Sequence, residues 1–212
     1  SLRVSRFGYS NSVRRSNHVS FNSLDEYIAG LRTLMTTVCD KFEQLGMYKN
    51  GKRVQLNANV LQTESEFYSP LRLKQPAAEG EDSLDALEQR GVKYAEVRLV
   101  DLNPYERAGI GLGQLHFLHL FMLYCLFEES PPLSNEEDAL TQYNHHQVSL
   151  FGRKPGLKLQ LYPRTRSGQT SPSKTIPLAA WGAQIFDRLE QIATRMSEAS
   201  GDAIWVEVVR QE

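Results

Sequence analysis

The sequence predicts an α+β fold, in which antiparallel strands pack with long helices. Strand-like alternation of apolar and polar residues recurs at residues 53–60 and 94–99. Helical periodicity covers residues 24–45 and 178–196. Strands and helices thus occupy different stretches of the chain, as they do in α+β proteins.

The two kinds of element also predict how the chain is organised. Residues 1–104 form a sheet-containing portion with one long helix, and residues 105–212 form a mainly helical portion. The chain opens at Ser1 in sequence that looks like the middle of a domain, and it ends in an apolar-rich element without a stop signal. These features predict a piece of a longer protein.

Composition excludes several classes of function. At 212 residues and 41% hydrophobic, the chain can bury a substantial core. A net charge of −1 produces no field that would attract nucleic acid or an anionic membrane. The most apolar run, residues 117–127, is too short to span a bilayer, and no signal peptide is recognisable. Cys39 and Cys125 lie in apolar helical patterns and are predicted to be buried thiols of a reducing compartment, which points to the cytoplasm.

The first portion combines one long helix with a polar-faced strand. A capping box of Ser23 and Glu26 opens the helix, whose apolar stripe runs to Leu45 before Gly46 closes it. In the strand that follows, alternation predicts one face toward the core (Val54, Leu56, Ala58 and Val60) and an opposite face of polar residues (Arg53, Gln55, Asn57 and Asn59). The amides suit a polar ligand, and a solvent-exposed face explains them equally well.

The second portion is predicted to be mostly helical. A helix around residues 115–126 is apolar nearly all round and is therefore predicted to be buried. Its His116 and His119 are three apart, but no acid is spaced to join them, which favours a core or boundary role over a metal site. Residues 163–175 read as a polar loop, and Pro177 begins a long amphipathic helix.

The most informative stretch is the strand that contains Tyr94, Glu96 and Arg98, which share one face, whereas Ala95, Val97 and Leu99 form the core side. Neighbours on one strand face lie roughly 6.5–7 Å apart. A carboxylate and a guanidinium are therefore held side by side on a rigid element. In a cavity, the glutamate suits a hard cation and the arginine suits a phosphate. An exposed ion pair on an open sheet explains the same residues and is the simpler interpretation of the strand alone.

Together with Asn57–Gln62 and Glu66–Tyr68, this strand resembles the proteobacterial glutamate–cysteine ligase (γ-glutamylcysteine synthetase) family. Further segments fit the same family in the same order: Ser1–Arg3, Gly8-Tyr9, Glu26–Leu31, Gly51–Arg53 and Gly152–Leu157. The resemblance runs from end to end. It implies the C-terminal part of the enzyme, without the N-terminal half and the C-terminal tail.

The resemblance implies a fold and a reaction. The family fold is like that of glutamine synthetase, with a curved antiparallel sheet that forms a funnel, and this chain would hold part of it. The implied activity uses ATP and Mg²⁺ to phosphorylate the γ-carboxylate of glutamate, after which the amino group of cysteine attacks the acyl phosphate. This is the first step of glutathione biosynthesis. Cations and guanidinium groups suit such chemistry because acyl-phosphate formation gathers negative charge.

The resemblance also assigns roles by position. Glu96 is implied as a magnesium ligand, and Arg98 as the catalytic group that contacts the transferred phosphoryl. Arg3 would hold the carboxylate of a substrate amino acid, while Tyr9 and Tyr68 would line the cysteine pocket. Several acidic metal ligands of the family lie in the missing N-terminal half. One glutamate cannot form a normal Mg²⁺ site alone, so the isolated piece is expected to be inactive.

Other hypotheses remain open at this point. The chain could be a non-catalytic amino-acid-binding or regulatory fragment with a ligase-derived fold, although the retained site residues argue against loss of the site. Nucleic-acid binding by the basic first 20 residues is weaker, since the rest of the chain cancels their charge. A partial sheet should expose edges or an apolar face, and so favour oligomerisation or pairing with the missing half. Residues 203–210 are β-branched in composition, yet the resemblance implies a helix there.

Overall fold

The computed structural model describes residues 3–5, 7, 8, 19–162 and 174–211. The chain divides into two compact units, Leu2–Val100 and Asp101–Glu212. Within the described residues, helices occur together with three separate two-stranded antiparallel sheets. The α+β prediction is confirmed. Tyr9 and most of the polar loop, residues 163–173, lie outside the described residues.

The first unit contains the following elements in chain order: α1 (Leu24–Thr36), α2 (Asp40–Leu45), β1 (Tyr48–Lys49), β2 (Lys52–Arg53), a 3-10 turn (Glu64–Glu66), β3 (Leu71–Lys74), α3 (Ser83–Arg90) and β4 (Tyr94–Val97). β3 and β4 pair antiparallel. The core of the unit consists mainly of α1 and α3 side chains, together with residues before α1 and between the two helices (Val19, Tyr27, Ile28, Leu31, Leu34, Val60, Leu61, Phe67, Leu84 and Leu87).

The predicted single helix from Leu24 to Leu45 is wrong, because the chain leaves the helix after Thr36. Its start is confirmed, since the Ser23 hydroxyl accepts from the Glu26 amide at 3.1 Å. At the break, Thr37 Oγ1 donates to the Thr33 carbonyl at 2.7 Å, and Val38 forms an isolated antiparallel bridge with Asn59. β-branched residues and hydroxyls that bond back to the helix both weaken helical continuation.

The predicted strand over residues 53–60 is also wrong, because β2 ends at Arg53. Over residues 54–56 the burial pattern is the reverse of the predicted one, whereas Val60 is buried as predicted. Val54 and Leu56 are 45% and 53% exposed, whereas Gln55 is only 8% exposed. The segment is a loop in which a polar side chain points inward.

Hydrogen bonds to helix ends explain this reversal. Gln55 Nε2 donates to the carbonyls of Phe42 at 2.6 Å and Gly46 at 3.0 Å, where α2 ends. Asn59 Nδ2 donates to the Met35 carbonyl near the end of α1. The last carbonyls of a helix have no partner within the helix. The amides supply those partners, and a regular strand would not place them there.

The second unit contains α4 (Leu112–Phe127), α5 (Asn135–Phe151), β5 (Lys158–Leu161), β6 (Lys174–Pro177), α6 (Leu178–Ser200) and α7 (Ile204–Gln211). The long helix after Pro177 is confirmed, as is the terminal helix implied by the resemblance. The loop prediction is wrong for Lys174 and Thr175, which pair with β5. None of the described helices has the length and apolar content needed to cross a lipid bilayer.

The apolar α4 was predicted to be buried, and this is wrong for most of its length. Of its described residues only Leu120 is fully buried, in a core that it shares with α6 and α7 (Leu189, Ala193 and Val209). Other apolar side chains of α4 are exposed, among them Leu112, Leu115, Leu126 and Phe127. Cys125 is exposed and Cys39 only half-buried, which contradicts the buried-thiol prediction. α4 therefore presents an exposed apolar surface.

The two histidines of α4 contact a tryptophan of α7. The rings of His116 and His119 lie 5.2 and 5.3 Å from the Trp205 ring, measured between centroids. This packing matches the boundary role that the sequence favoured for the pair.

Candidate functional site

The paired strands β3 and β4 carry a charged face. Arg72 lies directly opposite Glu96 in the ladder, and Lys74 lies opposite Tyr94. Directly opposite residues of an antiparallel pair share a face. Just beyond β4, the Arg98 amide donates to the Pro70 carbonyl at 2.8 Å, so the pairing continues for one more residue. The ladder therefore fixes the backbone that bears Glu96 and Arg98.

Glu96 and Arg98 lie side by side, as the alternation predicted. Arg98 Nε is 3.7 Å from Glu96 Oε1, which is an ion pair but too long for a hydrogen bond. The side chains are 26% exposed for Arg98 and 41% exposed for Glu96. A pair this exposed adds little to stability. Both groups keep surface through which a ligand could reach them.

Two distant parts of the chain meet Arg98. The Arg98 guanidinium carbon lies 5.6 Å from the centroid of the Tyr68 ring, within the range of a cation–π contact. Arg3 Nε donates to the Arg98 carbonyl oxygen at 3.0 Å, although the two residues are 95 positions apart. The structure thus brings together four of the five predicted site residues: Arg3, Tyr68, Glu96 and Arg98.

A second cluster of charged residues was not predicted from the sequence. It consists of Arg72 and Lys74 on β3 and Glu64 in the 3-10 turn. Lys74 Nζ lies 3.3 Å from both carboxylate oxygens of Glu64, and Arg72 Nη2 lies 4.0 Å from Glu64 Oε1. Arg72 is only 5% exposed. The sequence did indicate a short strand here, because apolar and basic residues alternate over Leu71–Lys74 directly after Pro70.

Beneath this face lies the buried Tyr27 of α1. Burial raises the pKa of the Tyr27 hydroxyl, and the backbone of Leu73 acts against this rise. The Glu64 and Glu96 carboxylates raise the pKa further, while Arg72 lowers it. The hydroxyl therefore stays protonated across the physiological pH range. The charges of the face act on this core residue as well as on the surface.

The residues around Glu96 determine whether this site can hold a metal ion. Glu96 offers one hard oxygen ligand, as Mg²⁺ prefers. Within the part of the chain that the structure describes, no three His, Cys, Asp or Glu residues group closely enough to hold a metal ion. These residues do not fit a complete Mg²⁺ site. Any such site needs ligands beyond them.

Two arginines, one carboxylate and one tyrosine lie together beside an antiparallel ladder, and guanidinium groups are the side chains that pair best with carboxylate and phosphate. The chain belongs to the glutamate–cysteine ligase family, whose model matches residues 1–148. The resemblance is therefore confirmed.

Individual relatives agree with the family. The glutamate–cysteine ligase of Clostridium acetobutylicum is 41% identical over the whole chain, which spans 42% of that relative. The glutamate–cysteine ligase of Pseudoalteromonas translucida is 40% identical over 94% of the chain, or 36% of that relative. The chain thus spans about two fifths of the curated relatives that it matches.

Solved structures extend the similarity to the fold. A crystal structure of glutamate–cysteine ligase from Francisella tularensis in complex with AMP superimposes with a TM-score of 0.84 at 28% identity. It covers 99% of this chain, which corresponds to 39% of that one. A bifunctional glutathione synthetase from Pasteurella multocida has a TM-score of 0.55 at 24% identity, which shows a related fold alone.

Proposed function

We propose that the intact protein carrying this chain joins the γ-carboxylate of glutamate to the amino group of cysteine at the expense of ATP. The reaction passes through γ-glutamyl phosphate and is the first step of glutathione biosynthesis. This chain supplies one wall of the active site. The observation that carries the proposal is the convergence of Arg3, Tyr68, Glu96 and Arg98 in a member of the ligase family. The AMP complex of the Francisella relative supports a nucleotide substrate.

Arg98 is proposed as the catalytic residue. Transfer of the γ-phosphoryl of ATP to a carboxylate spreads negative charge over the phosphoryl oxygens. A guanidinium stabilises that charge best when it is already in place before the reaction. Arg98 meets this condition, because its backbone is bonded on both sides (amide to Pro70, carbonyl to Arg3) and its guanidinium carbon lies near the Tyr68 ring.

The other residues are proposed to bind substrate or cation. Arg3 pairs with the carboxylate of an amino-acid substrate, and Tyr68 lines the pocket for cysteine, with Tyr9 as a second wall. Glu96 contributes one ligand to a Mg²⁺ ion, whose remaining ligands come from beyond the described residues. Its exposed carboxylate supports this assignment.

The proposal is tested by ADP release in the full-length protein that contains this chain. Release should require both glutamate and cysteine, and Arg98→Ala should lower turnover by about 10²–10³-fold, the typical effect of removing one transition-state donor. Arg32→Ala is the matched control, because Arg32 is an exposed arginine of the same unit that pairs with Asp85 and Glu88. Its turnover should stay within about twofold of wild type, since exposed pairs contribute little.

Two outcomes would contradict the proposal. Normal turnover by Arg98→Ala would remove Arg98 from the chemistry. Cysteine binding by titration calorimetry without any ADP release would favour the alternative, a non-catalytic amino-acid-binding protein with a ligase-derived fold.

A further inference from the structure

The short loop Phe67–Pro70 links the 3-10 turn to β3 and lies beside the candidate site. It contains Tyr68, whose ring contacts the Arg98 guanidinium, and Pro70, whose carbonyl accepts the Arg98 amide. The loop thus makes two separate contacts with Arg98. A shift of the loop therefore moves the Tyr68 ring and the Arg98 backbone together.

One side chain ties this loop to the turn before it. Arg72 Nε donates to the Phe67 carbonyl at 3.0 Å, and Arg72 Nη2 donates to the Glu64 carbonyl at 2.8 Å. Both carbonyls belong to the 3-10 turn and its end, immediately before Tyr68. The same Glu64 carbonyl also accepts the Phe67 amide at 3.0 Å. A single guanidinium therefore fixes the backbone on the N-terminal side of Tyr68.

The geometry of these bonds requires arginine. A guanidinium presents its donors in a rigid planar fork, whereas the ammonium of lysine is a single point at the end of a flexible stem. Lysine keeps the charge but cannot reproduce two bonds made from Nε and Nη2. Arg72 is also deeply buried, at 5% exposure, where an unsatisfied charge would be costly. Its two carbonyl partners and the nearby Glu64 carboxylate satisfy it.

The other end of the loop is fixed by Arg72 as well, because this residue belongs to β3 and stands opposite Glu96 in the ladder. The side chain thus connects strand pairing to the turn across the loop that holds Tyr68. Inside the loop, Ser69 is 1% exposed, so the loop packs closely against the unit.

We propose that Arg72 is a positioning residue, which holds Tyr68 and the Arg98 backbone in the arrangement that binds the cysteine substrate. The inference rests on the function proposed above. Arg72 acts through the loop, since its guanidinium is bonded to the Phe67 and Glu64 carbonyls. Its loss should therefore alter the binding of the substrate next to Tyr68 more than the binding of ATP.

The test uses the full-length protein with Arg72→Lys and Arg72→Gln. Arg72→Lys should raise the KM for cysteine about tenfold, because displacements of about 1 Å at a site cost up to about a hundredfold. The KM for ATP should change by less than about twofold. Leu87→Ala is the matched control, since it opens the same core from α3 and makes none of the loop's hydrogen bonds. Even where Leu87→Ala lowers the thermal midpoint as much as Arg72→Lys does, it should leave the KM for cysteine unchanged.

A second readout does not depend on activity. Site-specific 3-fluorotyrosine at position 68 reports the surroundings of that ring by ¹⁹F NMR. Its resonance should move in the folded Arg72→Lys protein and stay in place in Leu87→Ala. An unchanged resonance in both folded Arg72 variants would overturn the positioning role, as would an equal rise in the KM for cysteine in Leu87→Ala. Absence of cysteine-dependent ADP release in wild type would refute the proposed function, while the ¹⁹F comparison would still decide the role of Arg72.

Discussion

Replacing Gln55 by alanine tests the inverted burial of the loop after β2. The Gln55 amide makes two hydrogen bonds, to the carbonyls of Phe42 at 2.6 Å and Gly46 at 3.0 Å. Each such bond contributes about 1 kcal/mol net, so Gln55→Ala should destabilise the first unit by about 2 kcal/mol. The neighbouring Val54 is 45% exposed. Val54→Ala should therefore cost less than about 0.5 kcal/mol.

Hydrogen exchange measured by mass spectrometry separates the two variants. Both tryptophans, Trp181 and Trp205, lie in the second unit, so fluorescence would not report the first. Peptides from α1 and α2 should exchange about 30-fold faster in Gln55→Ala, since 1.4 kcal/mol corresponds to a factor of ten. Peptides from α6 serve as the internal reference. If Val54→Ala accelerated exchange more than Gln55→Ala did, Val54 and not Gln55 would be the buried residue. That result would contradict the loop and favour the predicted strand.

Two further predictions concern single elements. Hydrogen bonding from Arg90 is the main cause that lowers the pKa of Glu81 from 4.5 to about 2. The unfolded carboxyl takes up its proton first, so this contact stabilises the fold fully above pH 4.5 and loses its effect as the pH falls toward 2. NMR titration should find the Glu81 pKa raised toward its ordinary value in Arg90→Met, and a value still near 2 would exclude the arginine as its cause. Ser134 caps α5 in a reciprocal capping box with Glu137. Ser134→Ala should lower the free energy of unfolding by about 1 kcal/mol in urea titrations, and an unchanged midpoint would contradict the cap.

Local chemistry made much of the fold predictable. Ser23 begins α1 because its hydroxyl accepts a hydrogen bond from the Glu26 amide of the first turn. Pro177 marks the start of α6 through its fixed φ angle. The loop after β2 was not predictable in this way. Period-two alternation gives the same pattern for a strand and for a loop whose amides turn inward. The choice depends on carbonyls at the ends of α1 and α2, which lie far along the chain.

In the candidate site, too, local features were predictable from the sequence and long-range contacts were not. Alternation within one strand was enough to place Glu96 beside Arg98, because their spacing is local. Tyr68 and Arg3 entered only through the family resemblance, since their contacts with Arg98 span long stretches of sequence. Arg72 escaped notice because its importance lies in two backbone carbonyls, and no sequence motif records such partners.

An isotope label can show whether glutamate becomes an acyl phosphate at the site to which this chain is proposed to contribute one wall. Glutamate labelled with ¹⁸O in its γ-carboxylate is incubated with ATP, cysteine and the full-length protein. When the cysteine amine displaces phosphate from the acyl carbon, one carboxylate oxygen leaves with the phosphate. We expect inorganic phosphate that carries a single ¹⁸O, formed about 10²–10³-fold more slowly by Arg98→Ala. Phosphate released without the label would refute the acyl-phosphate route.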